Sequence, residues 1–260
     1  MAKVRKHQQS RGWALLTAVV LIKPVLLAIS KREWIDGDKI PAKGGCIVVA
    51  NHLSHLDPVM LAHIVYDHGR APRYLAKAAL FDVFFVGTIL RGAKQIPVQR
   101  MTTDAVGAYE AAVEAVNAGE AIVVYPEGTI TRDPDGWPMR GKTGAARIAL
   151  ATGAPVIPIG QWGPQDVLPA YSKNLHVLPR RTVHLKVGDP VDLSDLLGRP
   201  VTPDRVAEAT DRILAAITHV VEDLRDEQAP PERFDPRAAG VKEIGNPRKG
   251  KNARKDRGTA

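Results

Sequence analysis

Gly44-Gly45-Cys46-Ile47-Val48-Val49-Ala50-Asn51-His52-Leu53-Ser54-His55-Leu56-Asp57 decides the fold of this 260-residue chain. The apolar run between a glycine pair and a polar turn predicts a buried strand over Cys46 to Ala50. Pro58-Val59-Met60-Leu61 then opens a helix, expected to run to about Asp67. A strand handing over to a helix belongs to an open α/β sheet, where ligands bind beyond the carboxyl ends of the strands. His52 stands at such an end, five residues before Asp57. An imidazole oriented by a carboxylate is the simplest device for taking a proton from an alcohol near neutral pH.

Other readings of the same residues exist. Ser54-x-x-Asp57 matches a helix-capping box, a role for Asp57 that is compatible with orienting His52. His52, His55 and Asp57 are potential metal ligands, but their spacing is not that of familiar zinc motifs, so no metal site is assigned. Ser54 is a minor candidate nucleophile.

Outward from this stretch, strands and helices alternate. Strands are expected over Trp34 to Ile40, Arg73 to Ala76, Gln95 to Val98, Ala121 to Tyr125, Val156 to Ile159 and Thr182 to Val187. Helices are expected over Leu80 to Leu90, Asp104 to Ala118 and Thr143 to Ala151, with a long closing helix over Thr202 to Asp226. Such alternation implies an α/β fold, a mostly parallel or mixed sheet flanked by helices. The apolar residues of Leu80 to Leu90 read first as a buried helix face, and otherwise as the wall of an apolar tunnel or a membrane-facing patch.

Composition is that of a globular protein, 45% hydrophobic and 25% charged. The single cysteine, Cys46, excludes an intrachain disulfide and reads as a buried structural residue. The net charge of +8 sits at the ends: residues 1–12 carry +4, residues 242–260 carry +5, and the rest carries −1. No nucleic-acid module accompanies these basic ends, so nucleic acid is not an expected partner. Anionic lipid head groups are, at about 1 kcal/mol per basic residue near the surface.

Between Trp13 and Ile29 lies an apolar stretch interrupted by Lys23-Pro24. A spanning helix needs about 20 mainly apolar residues, so the interruption argues for a kinked helix pair lying in one leaflet. It argues equally against a signal peptide. The expected organisation is a basic, kinked membrane-associating element over 1–30, one domain over 31–226, and a basic, disordered tail over 227–260.

Three further blocks follow the first: Gly92-Ala93-Lys94-Gln95-Ile96-Pro97-Val98-Gln99-Arg100, Tyr125-Pro126-Glu127-Gly128-Thr129, and Gly153-Ala154-Pro155-Val156-Ile157-Pro158-Ile159-Gly160. Together with Asn51-His52 and Asp57, in this order, they resemble the lysophosphatidic acid acyltransferase family of glycerolipid acyltransferases. The resemblance covers roughly residues 30 to 190. It implies transfer of an acyl chain from an acyl thioester, on coenzyme A or acyl carrier protein, to 1-acylglycerol 3-phosphate, without a further cofactor. Glycerol 3-phosphate, a lysophospholipid or a glycolipid are alternative acceptors, and a metal-dependent esterase is the alternative outside the class. It implies His52 as general base and Asp57 as its partner. Arg100 would bind the acceptor's phosphate, and Glu127, Gly128 and Thr129 would bind its glycerol end. Asn51, Lys77 and Pro158 are secondary candidates, Pro158 on the acyl-chain side. Family members usually carry arginine after the threonine of the third block. Ile130 stands there instead, leaving Arg132, Arg140 or Lys142 as possible substitutes. The family also implies an N-terminal docking element, hence peripheral or monotopic attachment at the cytoplasmic face of the cell membrane.

Overall fold

A computed structural model describes residue 5 and residues 12–98, 104–243 and 245–247. Seven strands form one sheet: β1 (Ser30–Ile35), β2 (Cys46–Ala50), β3 (Pro72–Lys77), β4 (Ile96–Val98), β5 (Ala121–Val124), β6 (Val156–Trp162) and β7 (Arg181–Val187). Their order is β1-β7-β6-β2-β5-β3-β4. All neighbours are parallel except β6 and β7, so β1 and β7 run against the other five. The sheet is therefore mixed, with a parallel body around β2.

The helices are α1 (Gly12–Ile29), α2 (Asp57–Asp67), α3 (Phe84–Gly92), α4 (Asp104–Asn117), α5 (Gly144–Thr152), α6 (Pro164–Val167) and α7 (Pro203–Arg225). Helices α4, α5 and α7 cover one face of the sheet and bury Ile47, Val49, Ile122 and Val156. Helix α2 covers the other face and buries Val48, Ala50, Val123 and Ile157. Strand β2 is apolar at every position because both of its faces are covered. Strand β7 instead alternates, burying Val183, Leu185 and Val187.

At the opposite edge from the site, Arg70 is fully buried and ties loops together through the carbonyls of Pro41 (2.6 Å), Gly44 (2.7 Å) and Gly119 (2.8 Å). Cys46 is buried beside it, and burial pushes its thiol up against the opposing charge of Arg70.

The N-terminal element departs from the expected kinked pair. A single helix, α1, runs through Pro24. The proline removes one backbone bond, and Lys23 explains what holds the helix. Its ammonium lies 2.6 Å from Asp67 at the end of α2, a carboxylate with no exposed side chain that also receives Arg32 at 2.8 Å. The lysine that looks wrong for an apolar helix is thus a tether to the domain. His63 faces the same cluster, and burial lowers its pKa to about 4.

Helix α3 also departs from expectation. Phe84 and Phe85 are 77% and 78% exposed, and within α3 only Gly87 is buried. Gly92 is what lets α3 approach α1, since a Cβ there would meet the Ala14 Cβ at 2.7 Å. Trp13, Val20, Leu21 and Val25 of α1 are exposed in turn. A second helix therefore accompanies α1, and it comes from the domain rather than from a break at Pro24.

Candidate active site

The loop from Asn51 to Leu56 joins β2 to α2 at the carboxyl edge of the sheet. Asp57, fully buried, gathers three N–H donors on its Oδ2: His52 Nδ1 (2.8 Å), Leu53 N (2.5 Å) and Ser54 N (2.8 Å). The loop is drawn into a tight arc around that oxygen. Ser54 Oγ in turn accepts Leu56 N at 3.0 Å, which tightens the turn leading into α2, while the helix N-cap, Leu56, carries no side-chain cap bond. With Nδ1–H donating to Asp57, the imidazole lone pair lies on Nε2, the tautomer a general base needs. His52 keeps 14% of its side chain exposed, which leaves the ring reachable from outside. Its face stacks on Tyr125, with centroids 4.4 Å apart.

Two neighbours in the first block do other work. The Ser54 hydroxyl donates to Leu168 O at 2.6 Å and is spent there. His55 is turned toward Tyr171, edge-on at 5.6 Å. Among the described residues no group of three His, Cys, Asp or Glu stands ready to hold a metal.

The third block clasps the first from both sides. His52 N donates to Glu127 Oε1 at 3.0 Å, and Thr131 N donates to His52 O at 2.8 Å. Glu127 Oε2 accepts Met139 N at 3.1 Å, so both carboxyl oxygens are engaged by backbone amides. The expectation that Glu127 receives a glycerol hydroxyl thus meets a residue occupied in fixing the His52 backbone. Gly128 has φ +70°, a conformation that favours glycine, and the stem of Lys142 lies 3.5 Å from where a Cβ would be. Thr129 Oγ1 lies 3.4 Å from the Tyr171 hydroxyl. Trp137, buried in the same loop, packs under Arg225, which is sandwiched between Trp137 (3.9 Å) and Trp162 (4.3 Å).

Asn51 closes the seam between β2 and β6. Its Nδ2 donates to Gln161 O (3.0 Å), its Oδ1 accepts Gln161 N (2.8 Å), and its O accepts Gln161 Nε2 (2.8 Å). Lys77 is exposed at the carboxyl end of β3, opposite Val98 of β4. Arg100 lies outside the described residues. Pro158 sits inside β6, opposite Val49, with its ring near Gly188 on the α7 face of the sheet. It is therefore on the face opposite α2.

Arg132 is 9% exposed. Its guanidinium reaches the Tyr171 hydroxyl and, at 3.4 Å, Thr129 Oγ1. Tyr125 and Tyr171 carry no expectation from the sequence beyond the motif that contains Tyr125, yet one supports the imidazole and the other holds Arg132.

Burial raises the Glu127 carboxyl to about 8, outweighing the two amide bonds that lower it. Between about pH 4.5 and 8 the folded protein therefore holds a proton that the unfolded chain has lost. Stability should fall as pH rises through that window and level off above it. Glu127→Gln, less stable throughout because its amide meets a backbone N–H, should lose this slope. Urea denaturation at pH 5, 6.5 and 8 would check it, and an equal slope in both proteins would count against the assignment.

A histidine held by a buried aspartate, at the switch from a central parallel strand to a helix, marks the candidate site of an α/β domain. The acyltransferase family model matches residues 32–162, and the chain belongs to that family. It is 30% identical over 152 residues to the chloroplastic 1-acyl-sn-glycerol-3-phosphate acyltransferase BAT2 of Brassica napus, covering 57% of this chain and 42% of that one. It is 27% identical over 172 residues to the 1-acyl-sn-glycerol-3-phosphate acyltransferase of Borreliella burgdorferi, covering 63% and 66%. The chain thus spans about two fifths to two thirds of the length of these relatives. The crystal structure of the 1-acyl-sn-glycerophosphate acyltransferase PlsC of Thermotoga maritima shares the fold. Its TM-score is 0.64 at 25% identity, covering 83% of this chain and 82% of that one. The mixed sheet with its N-terminal apolar helix matches that structure.

Proposed function

We propose that this chain transfers an acyl group from an acyl thioester to the free hydroxyl of 1-acylglycerol 3-phosphate, giving phosphatidic acid. The observation that carries the reading is the His52 Nδ1–Asp57 Oδ2 bond at 2.8 Å, with Nε2 left as the base. The relatives named as 1-acylglycerol-3-phosphate acyltransferases support the choice of acceptor.

The steps follow from that geometry. The acceptor oxygen attacks the thioester carbonyl carbon while His52 Nε2 takes the hydroxyl proton, and Asp57 stabilises the imidazolium. The tetrahedral intermediate collapses, the C–S bond breaks, and the proton passes from His52 to the departing thiolate. The thioester is already activated, so no acyl-enzyme and no metal enter the scheme. Coenzyme A and acyl carrier protein both fit as carriers of the donor. Arg100 keeps its assignment to the acceptor's phosphate, because a guanidinium fork matches phosphate oxygens in pairs.

The exposed apolar residues of α1 and α3 suit association with a membrane, where both lipid substrates reside. Helix α1 is long and apolar enough to cross a bilayer by length and composition. Its ion pair to Asp67 and its packing on α3 favour instead a helix lying in one leaflet, and a cytosolic acyl donor would put that leaflet at the cytoplasmic face. The net positive charge of residues 1–12 and 242–260 suits anionic head groups.

The test offers purified protein labelled palmitoyl- and oleoyl-CoA with a panel of acceptors: 1-acylglycerol 3-phosphate, glycerol 3-phosphate, and a neutral lysophospholipid. Phosphatidic acid should be the dominant product. Preference for either other acceptor would replace the proposed substrate while keeping the chemistry.

A further inference from the structure

Three cations of the site loop, Arg132, Arg140 and Lys142, take no part in the acyl-transfer steps. Each of them is met by one segment that follows α7. Arg140 pairs with Asp235 at 2.6 Å, and its backbone N–H donates to Phe234 O at 3.0 Å. Lys142 pairs with Glu243, which Arg237 also grips. Arg132 donates from Nε to Lys242 O at 3.0 Å and from a second nitrogen to Gly245 O at 2.6 Å. Residues 234–243 are laid over the loop in a turn closed by Val241 N donating to Pro236 O at 2.8 Å.

The position of these contacts gives them meaning. Lys142 rises directly over Gly128, and its backbone N–H donates to Pro126 O at 2.7 Å. Arg132 follows Thr131, whose amide holds the His52 carbonyl at 2.8 Å. Consecutive residues, Lys242 through its carbonyl and Glu243 through its carboxylate, reach Arg132 and Lys142 respectively. Lys142 lies against Gly128 and Arg132 reaches Thr129 Oγ1 at 3.4 Å, so the two cations flank one dipeptide of the third block. Both ions that Glu243 contacts hold its carboxyl down to about 2, Arg237 more than Lys142, so it is anionic at every working pH.

Building on the acyltransferase reading, we propose that Lys142 and Arg132 form an anion subsite for a phosphomonoester, and that residues 234–243 are a strap whose Glu243 carboxylate stands in for the phosphate until substrate displaces it. The strap is an intramolecular competitor. It lends the loop a counter-charge when no acceptor is present and must lift when one binds.

Binding rather than turnover tests this, with the full chain and glycerol 3-phosphate and inorganic phosphate as probes in calorimetric titrations. Glu243→Gln should bind glycerol 3-phosphate about fivefold more tightly than the parent, the upper range for removing one exposed ion pair. Adding Lys142→Gln to that variant should abolish the gain. Asp235→Asn, which loosens the strap without touching Lys142, should give a smaller gain in the same direction, and it decides the matter should Glu243→Gln fail to fold. Equal or weaker binding by the folded Glu243→Gln protein overturns the strap, and so does absence of binding in every variant. The acceptor panel reads separately: tighter phosphate binding without acyl transfer would keep the subsite and reject the enzyme assignment, and the converse would reject the subsite alone.

Discussion

Asp57→Asn should lower turnover by about 10²–10⁴-fold while leaving the protein folded. Asp57 Oδ2 accepts three N–H groups, and its Oδ1 is buried without a partner among the described residues. An asparagine can keep its oxygen on the amides of Leu53 and Ser54 and place its NH₂ where Oδ1 lies. The arc of the loop then survives. What is lost is the negative charge opposite the imidazolium, and with it the bias that keeps the lone pair on Nε2. If the amide flips, its N–H faces Nδ1 and the reactive nitrogen carries a proton. Either arrangement disables the base. The helix-capping role predicts a much smaller effect, about 1 kcal/mol of stability and little change in rate. Steady-state kinetics beside a thermal melt separate the two, and turnover within a few-fold of the parent would leave Asp57 as a cap alone.

Much of this arrangement is legible from local sequence, because it depends on local pattern. The strand Cys46–Ala50 ends where the apolar run ends, and α2 and α4 fall within a residue or so of the positions their patterns suggest. Contacts that cross the chain leave no such trace. Asn51 and Gln161 are 110 residues apart and meet only because β2 and β6 are neighbours. Lys23 reads as a flaw in an apolar helix until Asp67, 44 residues on, is seen beneath it. Glu127 sits in a recognisable block, yet nothing local says that both its oxygens would be taken by amides. The phenylalanines of α3 have the composition of a buried face, and composition cannot tell burial in protein from exposure to lipid. The segment after Asp226 reads as tail because it is rich in proline and charge. Its acids nonetheless find specific cations on the site loop.

His52→Ala carries the largest expected loss. The substitution removes the proposed base outright, and no other group among the described residues is placed to replace it: Ser54 donates to Leu168 O, Glu127 is held by two amides, and His55 faces Tyr171. Residual transfer would come from positioning of the two substrates alone. General-base catalysis is worth roughly 10²–10⁴ in rate, so turnover should fall by at least about a hundredfold. Folding should be spared, since the loop is organised by the backbone amides of His52, Leu53 and Ser54 more than by the ring.

The most direct measurement is the single-turnover rate of labelled acyl transfer from palmitoyl-CoA to the acceptor the parent protein uses best, with parent and His52→Ala proteins side by side. The account predicts a loss of about a hundredfold or more at an unchanged melting temperature. A rate close to the parent's in the folded variant would contradict it.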